Sequence, residues 1–144
     1  MHEDSLKLEN QLCHRLYTAS NAMTRAYRPL LSELDLTYPQ YLVMLALWQK
    51  DQIQVNRLIE LTLIDGGSLT QILAKLQEKE LLKSRTASDD RRKRLLCLTP
   101  KGQALKQAAL KIPGLMLCKL KSLSLKEFQT LIELIDKLNQ DLEI

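Results

Sequence analysis

A chain of 144 residues is long enough for one domain with its own core. With 45% hydrophobic residues and only four glycines and four prolines, it reads as helix-rich and globular, which excludes disordered and collagen-like classes. The formal net charge of +4 is concentrated: from Lys83 to Arg94 six basic residues face Asp89 and Asp90, whereas from Leu123 to Ile144 five acids outnumber two lysines, a distribution that suits a surface meeting phosphates.

No apolar run approaches the ~20 residues of a membrane span. Met1-His2-Glu3-Asp4 lacks the basic region and apolar stretch of a secretion signal. A cytoplasmic protein with no membrane partner is the expectation. Cys13, Cys97 and Cys118 have no C-x-x-C spacing, and with two histidines they do not compose a zinc cluster. No metal and no cofactor are expected. A cytosolic cysteine is ordinarily a small buried hydrophobe, so redox chemistry at any of the three needs a further argument.

In chain order, Leu12, Leu16, Ala19, Met23, Tyr27, Leu30 and Leu34 recur at steps of three or four, which predicts a long helix from Leu6 to Leu34. Pro29 lies inside it and is expected to bend or divide it. A second helix starts at Thr37-Tyr38-Pro39-Gln40, where Thr37 caps, Gln40 closes the capping box and Pro39 lies in the first turn. Tyr41, Leu42, Leu45 and Trp48 continue it as far as the polar stretch Gln49 to Gln52. A short helix follows from Val55 to Leu61. Asp65-Gly66-Gly67-Ser68 then marks a turn and a new helix, whose buried stripe is Leu69, Ile72, Leu73 and Leu76. Two short helices with a tight junction form a helix-turn-helix pattern.

Lys83 to Ala87 and Lys93 to Leu98 flank the charged segment Ser88 to Arg92, which predicts a two-stranded hairpin with a charged tip, a wing. Strand propensity is weak here because the run is leucines rather than β-branched residues. Thr99-Pro100 begins another helix, through Ala104, Leu105, Ala108 and Ala109. Ile112-Pro113-Gly114 is expected to interrupt or kink it. Ser124 and Glu127 form a second capping box, and Phe128, Leu131, Ile132, Ile135, Leu138 and Leu142 face one side of the last helix.

The fold class expected is mainly α with a small β-hairpin wing. The expected organisation is one domain, with residues 37–99 a winged helix-turn-helix and residues 1–36 and 100–144 dimerisation helices. The terminal helices have apolar faces too wide for the central module to cover, so a homodimer is expected. The helix from about Gly66 to Lys79 would enter the major groove of double-stranded operator DNA, with Ser68, Thr70, Gln71 and Lys75 near base edges or phosphates. Gly66 and Gly67 would let backbone amides approach phosphate. Arg85, Arg91, Arg92 and Arg94 of the wing would reach the backbone or the minor groove, with Asp90 holding the Arg92 guanidinium. The competing interpretation of the wing tip is a solvated charged loop.

Along nearly its whole length the chain resembles the MarR family of winged helix-turn-helix repressors. Asp90-Arg91-Arg92 followed by Leu95-Leu96-Cys97-Leu98-Thr99-Pro100-Lys101-Gly102 is similar to that family's wing and following helix. Leu8-Glu9-Asn10-Gln11-Leu12-Cys13, Leu16-Tyr17 and Leu36-Thr37-Tyr38-Pro39-Gln40-Tyr41-Leu42 resemble its organic hydroperoxide resistance branch. That resemblance implies a non-enzymatic repressor that binds a pseudo-palindromic operator when reduced and is released when an organic hydroperoxide oxidises Cys13. It implies a sensor pocket in which the Tyr27 and Tyr38 hydroxyls hydrogen-bond the sulfur and Tyr17 matches a further pocket tyrosine, and a two-cysteine mechanism in which Cys118 resolves the sulfenic acid across the dimer. Cys97 is expected to be structural. The alternative within the family is release by a small aromatic ligand without cysteine oxidation. A thiol peroxidase would need a base beside Cys13, and the adjacent His14 points to another helix face. Three positions depart from the family pattern. Glu80 stands where glycine is frequent, Ser84 where a basic residue is usual, and Gln71 where proline is frequent; these bear on operator sequence and affinity.

Overall fold

The structure, a computed structural model, describes residues 3–142. The chain divides into two compact units, Met1–Ile112 and Pro113–Ile144.

The first unit opens with two 3-10 turns, Glu3–Leu6 and Leu8–Asn10, before α1 (Leu12–Ser32). The long helix therefore starts six residues later than its apolar spacing predicts. Side chains hold the preceding segment out of the helix. The Gln11 amide donates to Ser5 O at 2.7 Å, Asn10 donates to Asp4 O at 2.7 Å, and Arg15 donates to Glu9 O at 2.6 Å. Such local bonds compete with helical ones. Pro29 does not divide α1. It lies in the last two turns, and the helix continues past it to Leu31, which is wholly buried. Asp35 then takes a left-handed conformation (φ 53°), and Leu36 N–H bonds back to Leu31 O at 3.1 Å to close the helix end.

The capping box of α2 (Tyr38–Gln49) forms as predicted: Gln40 N–H donates to Thr37 Oγ1 at 3.3 Å and Thr37 N–H donates to Gln40 Oε1 at 3.1 Å. Of the residues expected to continue it, Tyr41 and Trp48 are buried. Val43, Met44 and Leu47 are buried and Leu45 is exposed. The helix is apolar nearly all round, so periodicity carries no information about which side meets the core.

The sheet has three antiparallel strands in the order β1-β3-β2: β1 (Ile53–Gln54), β2 (Leu82–Thr86) and β3 (Arg94–Leu98). The predicted hairpin is β2–β3, in register from Leu82↔Leu98 to Thr86↔Arg94. The third strand, β1, pairs Ile53 with Leu96 and Gln54 with Leu95, and Asp51 Oδ1 anchors it by accepting Leu98 N–H at 2.9 Å. Helices α3 (Val55–Thr62) and α4 (Gly66–Glu78) make the helix-turn-helix, and Asp65 caps α4 by accepting Ser68 N–H at 2.9 Å. Leu58, Leu69 and Leu76 from this pair join Leu31, Val43, Met44 and Leu47 in the core.

The end of α4 explains one departure from the family pattern. Leu81 N–H bonds to Leu76 O at 3.0 Å and Glu80 N–H to Gln77 O at 2.9 Å, with Glu80 at φ 60°. This is the helix-closing motif that favours glycine. A side chain there costs about 1 kcal/mol, offset in part by the extra freedom glycine gives the unfolded chain. Glu80→Gly is therefore expected to stabilise the protein by about 0.5–1 kcal/mol, read as a rise in urea midpoint at unchanged slope. A fall in midpoint would mean that the Glu80 side chain has a stabilising role of its own.

The first unit continues in α5 (Pro100–Ala109), capped by Thr99, whose Oγ1 accepts Gly102 N–H at 3.0 Å. Trp48 Nε1 donates to Gly102 O at 2.9 Å, fastening α2 to α5 in the interior. The break after α5 falls at Leu110 and Lys111; Pro113 and Gly114 then lie within α6 (Ile112–Leu117). In the second unit, α7 (Leu125–Asp141) is capped by Ser124 and Glu127 as predicted. It contains no buried residue, and Leu131, Ile132 and Leu134 are exposed.

Candidate nucleic-acid interface and thiol site

Ser68, Thr70, Gln71 and Lys75 all lie on the exposed side of α4, opposite the buried Leu69, Leu73 and Leu76. Two of them have local partners: Thr70 Oγ1 donates to Gly66 O at 2.8 Å, and Lys75 pairs with Glu78 at 3.1 Å. Ser68 N–H holds the Asp65 carboxyl below the usual carboxylate range, so the cap stays charged at neutral pH. Gly66 and Gly67 do not owe their lack of a side chain to crowding within the chain. An added Cβ would meet nothing closer than 3.7 Å at Gly66 and 3.4 Å at Gly67.

In the wing, Arg91, Arg92 and Arg94 are exposed, and none has an ion-pair partner among the described residues. One expected contact changes. Asp90 accepts the backbone N–H of Arg92 at 2.9 Å rather than its guanidinium, so it shapes the turn and leaves the arginine head free. Arg85 is exposed and keeps its charge, but neutral partners orient it. Its Nε donates to Cys97 Sγ at 3.3 Å and its Nη2 to Gln52 Oε1, so it braces β2 against β3 and the approach to β1. Cys97 is buried, as a structural cysteine should be.

Cys13 and Cys118 are both exposed free thiols. Cys13 lies in the first turn of α1. Cys118 lies just past the end of α6, with its N–H bonded to Gly114 O at 3.1 Å. Tyr27 and Tyr38 come together, with ring centroids 4.9 Å apart, and Tyr41 completes the group at 5.9 and 6.4 Å. The sequence motifs pointed to the first two rings; Tyr41 was legible only as core, although its spacing from Tyr38 places both on one side of α2. Burial raises the ionisation point of all three hydroxyls, and their mutual proximity adds to this for Tyr27 and Tyr41. They therefore remain protonated hydrogen-bond donors across the physiological range. Tyr17 stands apart, exposed and one turn from Cys13, with no ring contact among the described residues.

The structure does not bring Cys13 to this cluster within one chain. Fourteen residues of unbroken α1 separate Cys13 from Tyr27, roughly 21 Å along the axis. A cavity of about 480 Å³ opens between the end of α1 and the start of α2, lined by Arg28, Asp35, Tyr38 and Lys79 among others. Among the described residues no three His, Cys, Asp or Glu side chains are grouped to hold a metal, and no helix is long and apolar enough to cross a membrane.

Comparison with known proteins agrees with this geometry. The family described as transcriptional regulator SarA/Rot matches residues 25–109. The organic hydroperoxide resistance transcriptional regulator of Bacillus subtilis is 42% identical over 114 residues, 79% of this chain and 78% of that protein. Among solved structures, reduced AbfR bound to DNA (AbfR is a protein of Staphylococcus epidermidis) superposes with a TM-score of 0.82 at 26% identity, over 99% of this chain and 97% of that one. The reduced form of MarR from E. coli superposes with a TM-score of 0.73 at 26% identity, over 89% and 96%. These relatives are regulators rather than enzymes, and this chain belongs to the MarR/SarA family of winged-helix transcriptional regulators.

Proposed function

We propose that the protein is a peroxide-sensing repressor that acts in the cytoplasm as a homodimer. The reduced dimer binds a pseudo-palindromic operator. One α4 enters each of two successive major grooves, presenting Ser68, Thr70, Gln71 and Lys75, while Arg91, Arg92 and Arg94 contact the flanking backbone. Gly66 and Gly67 leave the start of α4 bare for close approach of a phosphate. Dimerisation is supported by α7, which exposes Leu131, Ile132 and Leu134 and buries no residue, and by the exposed Leu12 and Met23 of α1.

The observation that carries the redox reading is the separation of Cys13 from the tyrosine cluster. An exposed thiol lies in the first turn of α1, and the protonated phenols gather around Tyr27, fourteen positions further along the same helix. They can meet only if two copies pack with their α1 helices side by side, so that Cys13 reaches the Tyr27 and Tyr38 hydroxyls across the dimer. There the hydroxyls donate to the thiolate. The thiolate attacks an organic hydroperoxide, the O–O bond breaks, an alcohol leaves after taking up a proton, and Cys13 becomes a sulfenic acid. The thiol of Cys118 of the partner subunit then displaces the hydroxyl as water and forms an intersubunit disulfide. The terminal helices shift, the two α4 helices lose the half-site spacing, and the protein leaves its operator.

The experiment is a non-reducing gel of the protein after one equivalent of cumene hydroperoxide, with operator binding measured on the same samples. A covalent dimer appearing together with loss of binding is expected. Loss of binding without a covalent dimer would remove Cys118 from the mechanism and leave Cys13 acting alone. If neither changes, the redox reading fails. Release by a small aromatic anion, for which the cavity beside Arg28 and Lys79 has room, then becomes the better account.

A further inference from the structure

We infer that Lys79 is a positioning residue that fixes the C-terminal end of α4 to the first turn of α2, and so carries the state of the tyrosine cluster to the DNA-reading helix. The inference rests on the peroxide-sensing reading for its purpose but not for its test. Lys79 directly follows α4, and its N–H still bonds to Lys75 O at 3.1 Å. Its side chain is only 26% exposed. The ammonium donates to Gln40 Oε1 at 3.1 Å and to the Asp35 carbonyl, with the Asp35 carboxylate 3.5 Å away. The carbonyl of Lys79 accepts from Lys101 Nζ at 2.9 Å. One residue thus gathers the end of α1, the start of α2, the end of α4 and the start of α5.

The shared acceptor gives this node its meaning. Gln40 is the one buried polar residue among the described residues, at 6% exposure. Its Oε1 accepts both the Thr37 N–H of the capping box and the Lys79 ammonium. Tyr38 is the first residue of α2, inside that same box, with its ring against Tyr27. A displacement of Tyr38 therefore moves the box, and the box moves the anchor of Lys79. The cavity lined by Asp35, Thr37, Tyr38 and Lys79 gives the first turn of α2 open space into which it can shift. Packed interiors resist such movements, whereas a turn that borders a void does not. Energetic coupling between sites is carried by chains of contacts of this kind, and it counts as coupling only when a measured cycle shows it.

The test uses the reduced full-length protein. Hydrogen exchange is read at the backbone amides of Gln77 to Leu81, with Lys79 present or replaced by methionine, each with and without Tyr38→Ala. Methionine keeps most of the apolar stem and removes the donors. The buried Gln40 oxygen is not stranded, because Thr37 N–H still serves it. Tyr38→Ala is expected to speed exchange at least fivefold with Lys79 present and less than twofold in Lys79→Met. Equal acceleration in both backgrounds, or none in either, overturns the inference. Lys79→Leu, which likewise has no donor and is expected to behave as Lys79→Met does, decides the matter if the methionine variant melts early.

On operator DNA, with Cys13 oxidation verified by mass, the rise in Kd on peroxide treatment is expected to be at least tenfold smaller in Lys79→Met. An unchanged rise overturns the coupling. If the oxidised wild-type protein stays on DNA, the peroxide-sensing reading fails by itself, since the exchange cycle still decides whether Lys79 is the link.

Discussion

Cys13→Ser is expected to leave the operator affinity of the reduced protein within about twofold of wild type and to abolish release by organic hydroperoxide. The exchange swaps one chalcogen for another on an exposed side chain in the first turn of α1, so it disturbs no core contact. Serine offers no thiolate, so the proposed sensor position loses its nucleophile. The effect is large because the whole differential affinity of the switch, a few kcal/mol for a nearly complete two-state shift, passes through one atom. Cys118→Ser separates the two steps. It is expected to permit oxidation of Cys13, give no covalent dimer, and make release depend on the sulfenic acid alone. Cys97→Ser, within β3, is expected to leave the response to peroxide intact. Its cost falls on the wing instead, where Cys97 Sγ accepts from Arg85. Peroxide-induced release that persists in Cys13→Ser would sink the sensor assignment. The titration by which it is measured, operator binding against hydroperoxide concentration, reports the same loss for any other oxidant acting through this thiol.

What the sequence disclosed about this molecule is what local chemistry writes into neighbouring residues. The capping boxes at Thr37 and Ser124 involve partners three residues apart and form as expected, and the helix start at Asp65-Gly66 and the wing hairpin fall where the sequence places them. The start of α1 was misplaced because the apolar spacing continues into a segment that Asn10, Gln11 and Arg15 fold back by side-chain bonds. Strand β1 was illegible for a different reason. Two residues carry no alternation, and their partners, Leu95 and Leu96, are some forty positions away. The face of α2 could not be chosen because the helix is apolar almost all round.

The candidate site divides along the same line. Charge patterning located the wing arginines but not their partners, such as the Gln52 and Cys97 contacts that orient Arg85. Asp90 was placed at the right turn with the wrong half of Arg92. Resemblance singled out Cys13, Tyr27 and Tyr38 without saying that one chain cannot bring them together. That constraint follows from α1 running unbroken between Cys13 and Tyr27. The Lys79–Gln40 contact spans thirty-nine positions and leaves no local trace at all.

Among the four glycines, Gly102→Ala is expected to be the most damaging substitution. A Cβ at Gly102 would stand 2.1 Å from the backbone oxygen of Leu81, 3.1 Å from its carbonyl carbon and 3.3 Å from Leu98 Cδ2. The clash is with main chain, so no rotamer change relieves it. Neither backbone is free to move. The Leu81 carbonyl accepts Thr99 N–H at 3.1 Å, Gly102 N–H donates to Thr99 Oγ1 at 3.0 Å, and Gly102 O accepts the buried Trp48 Nε1 at 2.9 Å. Separating α5 from Leu81 to make room would stretch the bonds to Leu81 and to Trp48 and threaten to strand the indole N–H in the core, so the cost adds overpacking to an unsatisfied donor. Overpacking alone costs about 1–3 kcal/mol, and a stranded buried donor costs about 1–3 kcal/mol more. A loss of roughly 3 kcal/mol or more follows, a fall of roughly 10 °C in the melting midpoint at this chain length. Gly114→Ala is the matched control. It adds the same methyl on α6, where a Cβ would find nothing within 4 Å. There alanine is expected to be neutral or to stabilise by up to about 1 kcal/mol through its better helix propensity. If Gly102→Ala melts within about 2 °C of the wild type while Gly114→Ala behaves as expected, the approach of α5 to Leu81 is looser than its hydrogen bonds imply, and the fastening of α2 to α5 through Trp48 must tolerate movement that this geometry denies.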